Sequence, residues 1–348
     1  MRRLSILAAA AVLALIAPAP VRAADDTITV VSGSFPTAYF EVLGDVAEHE
    51  GFYKDQHLTV TINFAGNPSV AVQAVAAGKG DIGSIGLEPI IQGYEKGVRM
   101  VAFLARDPHL QQVLGVLDNS PIHTLADFKG TTIGELTLGQ PGEIYTSVML
   151  AGAGLKKSDY SFAPIGNGAQ AIQALVTGKV AGAAFPYPEL RIYEVSANLK
   201  FRWFREPIIA DDSDVGYIAT PATLAAKGDA LKRFSRAIVQ AAIFCRVNPD
   251  QAAKDFVMSS GMKVTDEAIA HEATLLRNSM ELLPAYNPMS KRIGELPVRN
   301  MRVLTKFMAD NGLTTSVVPA SAIVTDQFID YANDFDHKAF IAKAKAVH

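Results

Sequence analysis

The chain has 348 residues, 49% of them hydrophobic and 19% charged, with a formal charge of -3 and a single cysteine. That balance excludes a disordered tail, a collagen-like fibre and a polytopic membrane protein, and the length favours two lobes over one core. No broad basic field is available for a nucleic acid, and one thiol cannot close an intrachain disulfide.

Arg2 and Arg3 make a positive start, and Leu4 to Ala17 is apolar except for Ser5. Val21-Arg22-Ala23 then offers small residues where a signal peptidase cuts, so residues 1–23 read as a secretory signal and the mature chain as exported. The apolar run is shorter than the roughly 20 residues that span a bilayer. No cysteine stands at the cut to take a lipid. Cleavage removes three arginines and no acid, taking the formal charge from -3 to -6.

Thr27 to Val31 reads as a strand, Gly33 to Thr37 as a turn and Ala38 to Glu50 as a helix stopped by Gly51. Next come a β-branched strand, Leu58 to Phe64, a Gly66-Asn67 turn, an apolar-periodic helix ended by Gly78, a strand from Asp81 to Ile85 and a helix started at Pro89. Met100 to Ala105 and Gln111 to Leu117 are two more extended runs, the second read as the exit from the first lobe. Residues 66–79 then recur at 166–179 without a gap: the Gly-Asn pair, Ala71, Gln73, Ala74 and the Gly-Lys pair are identical at an offset of 100. This is a duplicated supersecondary unit. Thr131 to Gly134, Glu143 to Gly152, Tyr160 to Ile165 and Ala181 to Phe185 repeat the alternation of strand and helix, with Pro186 and Pro188 opening the next helix. Such alternation predicts parallel sheets with right-handed crossovers, hence two α/β lobes.

The predicted division is 24–118 for lobe one, 119–213 for lobe two, and 214–348 for a return through a hinge followed by helices packing mainly on lobe one. Val215 to Thr220 is the returning strand, Pro221 to Val247 is helical, and Asn248 caps a helix with Pro249 at its first position. Cys245, beside Ile243 and Phe244, reads as core filler.

Ligands of open parallel sheets bind beyond the carboxyl ends of the strands, where helix N-termini offer unpaired N–H groups. The turns so placed supply the candidate ligand-binding residues: Ser34, Phe35, Thr37, Asn67, Pro68, Ser69, Leu87, Glu88 and Arg106 in lobe one. Lobe two supplies Thr137, Gly139, Gln140, Gly142, Asn167, Gly168, Phe185, Tyr187 and Glu189. The rings would wall an apolar or planar ligand, Glu88 or Glu189 would receive an amine or hydroxyl, and Arg106 would meet an anion unless Asp107 neutralises it. Core packing for the rings and solvated helix starts for the carboxylates are the alternatives.

Enzyme motifs fail on spacing. Gly78-Lys79 and Gly178-Lys179 lack the P-loop glycines and the following hydroxyl, Ser84 lacks the glycine of a nucleophile elbow, and Ser260-Gly261-Met262-Lys263 has no companion motif. The seven histidines are scattered, so no metal or cofactor is expected, and Asp211-Asp212-Ser213-Asp214 reads as a solvated turn.

Gly33-Ser34-Phe35-Pro36-Thr37-Ala38-Tyr39, Gly51-Phe52-Tyr53-Lys54, Gly66-Asn67-Pro68-Ser69, Gln73 to Gly83 and Asn248-Pro249-Asp250-Gln251-Ala252-Ala253 together resemble the periplasmic substrate-binding proteins of ABC importers in the nitrate, sulfonate and taurine group, related to thiamine-precursor binding proteins. The resemblance implies a type II periplasmic binding protein fold, two α/β lobes around a hinged cleft. It further implies a periplasmic monomer that closes on a solute and hands it to a permease and its ATPase. One departure is Ala181, where the second repeat of that group carries Asp. A small organic anion or zwitterion, sulfonate- or taurine-like or an aromatic acid, suits the aromatic residues better than bare nitrate. The rivals are an enzyme on the same fold acting on a pyrimidine precursor, whose cysteine-rich signature is missing, and a solute sensor.

Overall fold

A computed structural model describes residues 25–37, 41–107, 111–138, 141–206, 215–278 and 292–347. The signal sequence expected at 1–23 and the acidic turn at 211–214 lie outside them. In chain order the first stretch holds β1 (Asp26–Ser32), α1 (Val42–His49), α2 (Phe52–Asp55), β2 (Leu58–Phe64), α3 (Pro68–Ala76), β3 (Ile82–Gly86), α4 (Glu88–Glu95) and β4 (Val101–Asp107). The middle holds β5 (Gln112–Leu117), β6 (Thr132–Glu135), α5 (Pro141–Gly152), β7 (Ser161–Pro164), α6 (Ala169–Val176), β8 (Gly182–Pro186), α7 (Tyr187–Ser196) and β9 (Phe201–Phe204). After β10 (Val215–Ala219) the chain is helical: α8 (Pro221–Ala226), α9 (Gly228–Val247), α10 (Pro249–Ser259), α11 (Asp266–Asn278), α12 (Val298–Asp310), α13 (Ile329–Asn333) and α14 (His337–Lys345).

Two five-stranded sheets result, ordered β2-β1-β3-β10-β4 and β7-β6-β8-β5-β9. The same plan is used twice. In each sheet the three strands of the repeat pair in parallel. A strand laid down directly after a crossing enters antiparallel: β10 between β3 and β4, and β5 between β8 and β9. The sheets are therefore mixed rather than parallel, and β5 belongs to the second lobe. That moves the first boundary from 118 to the segment between β4 and β5, because a β-branched run announces a strand without announcing its partner. The aromatic strand β9, four residues long, was not anticipated.

The repeat is conformational as well as sequential. Gly66 and Gly166 have φ of 66° and 67°, and Gly78 and Gly178 both have φ of 71°, the left-handed region that ends a helix without a Cβ clash. Ala71 and Ala171 are both fully buried where α3 and α6 press on their sheets.

Each sheet is covered on both faces. In the first lobe one face packs Ile28, Phe103, Phe234 and Phe244 beneath α1 and α9, and the other packs Val72, Ile91, Leu304 and Met308 beneath α3, α4 and α12. Phe234 stacks on Tyr53 at 5.8 Å and takes the edge of Tyr217 at 5.0 Å. Cys245 is fully buried in this core, and burial pushes its thiol far above its ordinary range, so it stays an inert thiol. The second lobe packs Ala171, Leu175, Phe185 and Tyr193 on one face and Phe128, Ile133, Met149 and Leu150 on the other. Among the described residues no helix is long and apolar enough to cross a membrane.

Candidate binding cleft

Strands β1, β3 and β4 finish at the same end of the first sheet, with β10 entering between the last two, and polar residues near those ends form a buried network. The Ser32 hydroxyl donates to Glu41 Oε1 at 2.7 Å, Arg106 Nη1 donates to the same oxygen at 3.0 Å, and Arg106 Nη1 also reaches Ser84 Oγ at 2.8 Å. Arg106 is 3% exposed and Glu41 6%. A guanidinium so far from water is tolerable only because a carboxylate balances it. The Ser34 amide donates to Ser32 Oγ at 3.1 Å, tying the turn after β1 to the same network.

Beyond these strand ends lies a cleft of about 530 Å³, lined from both lobes. Of the residues expected at the site, Ser34, Phe35, Thr37, Pro68 and Arg106 line it on the first lobe, and Thr137, Asn167 and Glu189 on the second. Phe35 lies over Gly66, where a Cβ would stand 2.9 Å from its ring, and a Cβ on Gly33 would stand 2.8 Å from the Pro68 backbone. These two glycines let the turn after β1 and the start of α3 close against each other.

The remaining candidates are placed elsewhere, each for a visible reason. Asn67 spends its side chain on α3: Oδ1 accepts from Ser69 N at 2.9 Å and Val70 N at 3.3 Å, so the amides expected to face a ligand are already satisfied and Ser69 lies off the wall. Leu87 is fully buried in the first-lobe core. Phe185 is fully buried too, because strand alternation turns it inward while Pro186 faces the cleft. Tyr187 packs its ring on Trp203 at 5.1 Å rather than walling a ligand. A Cβ on Gly142 would lie 2.4 Å from the Ala184 carbonyl, so that glycine serves close packing of α5 on β8. Gly168 donates its amide to the Tyr193 hydroxyl at 3.0 Å. Gly139 and Gln140 lie outside the described residues.

Glu88, 2% exposed, leaves the cleft altogether and accepts from the Tyr145 hydroxyl of α5, across the lobes. Tyr145 stacks on Phe307 of α12 at 6.0 Å and lies in a core cluster otherwise built from the first lobe and the C-terminal helices. Burial pushes the Glu88 carboxyl above its usual range, and Glu88 Oε2 has no hydrogen-bond partner among the described residues. Tyr145→Phe is expected to cost about 1–3 kcal/mol, the penalty of stripping a donor from a buried carboxyl. A urea midpoint shift at unchanged m-value checks this; an unshifted midpoint would mean that the contact contributes nothing.

Several lining residues were not anticipated: Ser84 and Ile85 from β3, Gln111 and Gln112 at the entry to β5, and Val215 at the start of β10. From the sequence Ser84 is a candidate only for a nucleophile elbow, whose glycine it lacks. Gln112 and Val215 open the two crossing strands, and the available signal was topological, since a segment joining two lobes necessarily backs the space between them.

The second lobe also holds a carboxyl without partners. Glu135, the last residue of β6, is fully buried, and neither of its oxygens has a hydrogen-bond partner among the described residues. Burial, reinforced by the charge of Glu143, pushes its pKa to about 9. Among the described residues no group of three or more His, Cys, Asp or Glu side chains is placed to hold a metal ion.

The model of the family described as NMT1/THI5 like matches residues 45–252. No curated protein matches the sequence. Among solved structures, a protein of Bordetella bronchiseptica RB50 is 25% identical with a TM-score of 0.70, the match covering 88% of this chain and 97% of that one. The alkanesulfonate-binding protein SsuA from Xanthomonas axonopodis pv. citri, bound to MOPS, is 16% identical with a TM-score of 0.66, covering 86% of this chain and 98% of that one. The desulfurization enzyme DSZB is 14% identical with a TM-score of 0.55, covering 88% of this chain and 98% of that one.

Proposed function

The chain belongs to the NMT1/THI5-like family and has the periplasmic binding protein fold, and from that premise we propose that it is the periplasmic solute-binding subunit of an ABC importer. It captures a small organic anion or zwitterion, sulfonate- or taurine-like or an aromatic acid, by closure of the two lobes. The closed form then delivers the solute to a membrane permease and its ATPase. The observation carrying this reading is the cleft itself, which is bounded by strand ends of both sheets, backed by the two crossing strands, and polar at its opposite walls. Arg106 and Ser84 would meet a polar group, while Phe35, Ile85, Leu136 and Pro186 would cover an apolar body. Closure follows because a ligand held by one wall favours the state that brings up the other.

The fold by itself leaves catalysis open, since DSZB shares it. The single cysteine, Cys245, lies in the first-lobe core among α9 side chains, away from the cleft, so no thiol meets a bound solute.

Thermal unfolding of the extensively dialysed mature chain against nitrate, taurine, alkyl and aryl sulfonates, aromatic carboxylates and pyrimidines tests the reading. A ligand at a thousand times its Kd adds about 4 kcal/mol. The expected result is a clear upward shift with one sulfonate or carboxylate class, the compound being recovered unchanged. Conversion of the compound would make the protein an enzyme, and a shift with nitrate alone would remove the organic ligand.

A further inference from the structure

The charge of the solute follows from the cleft, given the solute-receptor reading on which this inference rests. Among the described residues lining the cleft, Arg106 supplies the positive charge and Glu189 the negative one. The two are not equivalent. Arg106 arrives already balanced by Glu41, so its wall offers hydrogen-bond donors with little net field. Glu189, 5% exposed, has a neutral partner: Asn167 Nδ2 donates to its Oε2 at 3.0 Å.

The amide of Asn167 is held in one orientation. Its Oδ1 accepts from the Tyr193 hydroxyl and from Gly168 N, which leaves Nδ2 for Glu189. Both Asn167 and Glu189 line the cleft. A second carboxyl, Glu272, comes from α11, which packs against both α7 and α10, and α10 in turn packs on α1 of the first lobe. Burial and then repulsion from Glu189 push Glu272 to about 7. Burial raises the Glu189 carboxyl above its usual range and the Asn167 amide opposes that rise. A nearly buried carboxyl facing a cavity, with no basic side chain on its wall and a second acid nearby, holds its charge only when a cation is brought beside it.

We propose that Glu189, oriented by Asn167 and Tyr193 on the second-lobe wall, seats a protonated amine, so that the solute carries an ammonium group and is a zwitterion rather than a plain organic anion. An ammonium on Glu189 also removes carboxylate repulsion across the contact of α7 with α11, which joins the second lobe to helices carried by the first. Recognition of the amine and lobe closure are then one event.

Calorimetric titration of the mature chain with matched pairs tests this: taurine against ethanesulfonate, and 4-(aminomethyl)benzoate against 4-methylbenzoate. The amine-bearing member is expected to bind at least tenfold tighter in one pair, and Glu189→Gln is expected to bring the two members of that pair within threefold. Equal or tighter binding of the amine-free member, or a tenfold preference that survives in E189Q, overturns the proposal. Should E189Q fail to melt cooperatively, Asn167→Leu takes its place: it removes the orienting amide, is expected to narrow the preference to within threefold, and overturns the proposal if tenfold is retained. If plain anions or pyrimidines bind and no amine does, the proposal falls and the receptor reading stands. Silence across these pairs and the wider solute panel overturns the receptor reading, and the proposal with it.

Discussion

Arg106→Met is expected to lose about 3–5 kcal/mol of stability, because it leaves Glu41 as a buried carboxylate without its counter-charge. Glu41 would keep its bond from Ser32 but lose the guanidinium that balances it. The same change removes the donor from the first-lobe wall, so binding of a compound that shifts the wild-type melting point should weaken at least a hundredfold. Urea unfolding and calorimetry read the two effects separately. Glu41→Leu combined with Arg106→Met is expected to regain most of the stability and none of the binding, since it deletes both charges at once. An Arg106→Met protein with wild-type midpoint and wild-type affinity would show that the network neither holds the strand ends nor faces the ligand.

The second large effect is a loss of stability in alkali centred on Glu135. Its pKa is about 9 in the folded chain against an ordinary 4.5. Between those values the folded state holds a proton that the unfolded state has released, so stability falls as pH rises through that window, and the cost is absent below it. The cost by pH 9 is on the order of 5 kcal/mol. Asp45, pushed to about 8, and Asp255 and Glu272, each pushed to about 7, act in the same direction. Glu135→Gln keeps the shape and removes the ionisation. It should flatten the slope above pH 6 and raise the melting temperature at pH 8.5 by roughly 5–10 °C. Equal wild-type melting temperatures at pH 5.5 and 8.5, or a variant as steep as wild type, would contradict this account of the buried carboxyl.

Two identical residues show where the sequence stops being legible. Asn67 and Asn167 occupy the same place in the repeat, and both were expected to offer the same turn to a ligand. The difference lies one residue on. Pro68 opens α3 as its first residue, which makes Asn67 the cap and consumes its Oδ1 on helix amides. Gly168, with φ of 62°, becomes the cap itself and leaves Asn167 outside the helix, where it turns to Tyr193 and Glu189. Glu88 and Glu189 diverge in the same way at the starts of α4 and α7, one drawn across the lobes by Tyr145 and the other left at the cleft. Strands, helix stops and the offset of 100 are local patterns and were readable. The sheet that β5 joins, and the partner that captures each carboxyl, depend on residues far along the chain, and one sequence without its contacts cannot order them.

Because β10 lies between β3 and β4, the first sheet stays open until the chain has passed residue 219. Until then β4 has no strand beside it, and Ser84 waits for Tyr217 as its cross-strand neighbour. The second sheet has no such debt, since its five strands run from 112 to 204 without interruption. A chain emerging from its amino end therefore completes the later lobe first, and the earlier one closes only when the last strand is threaded back into it. Cutting the chain between β9 and β10 should accordingly release a second lobe that can still pair all its strands, while the first lobe is left as a three-stranded sheet with a bare edge and a detached β4.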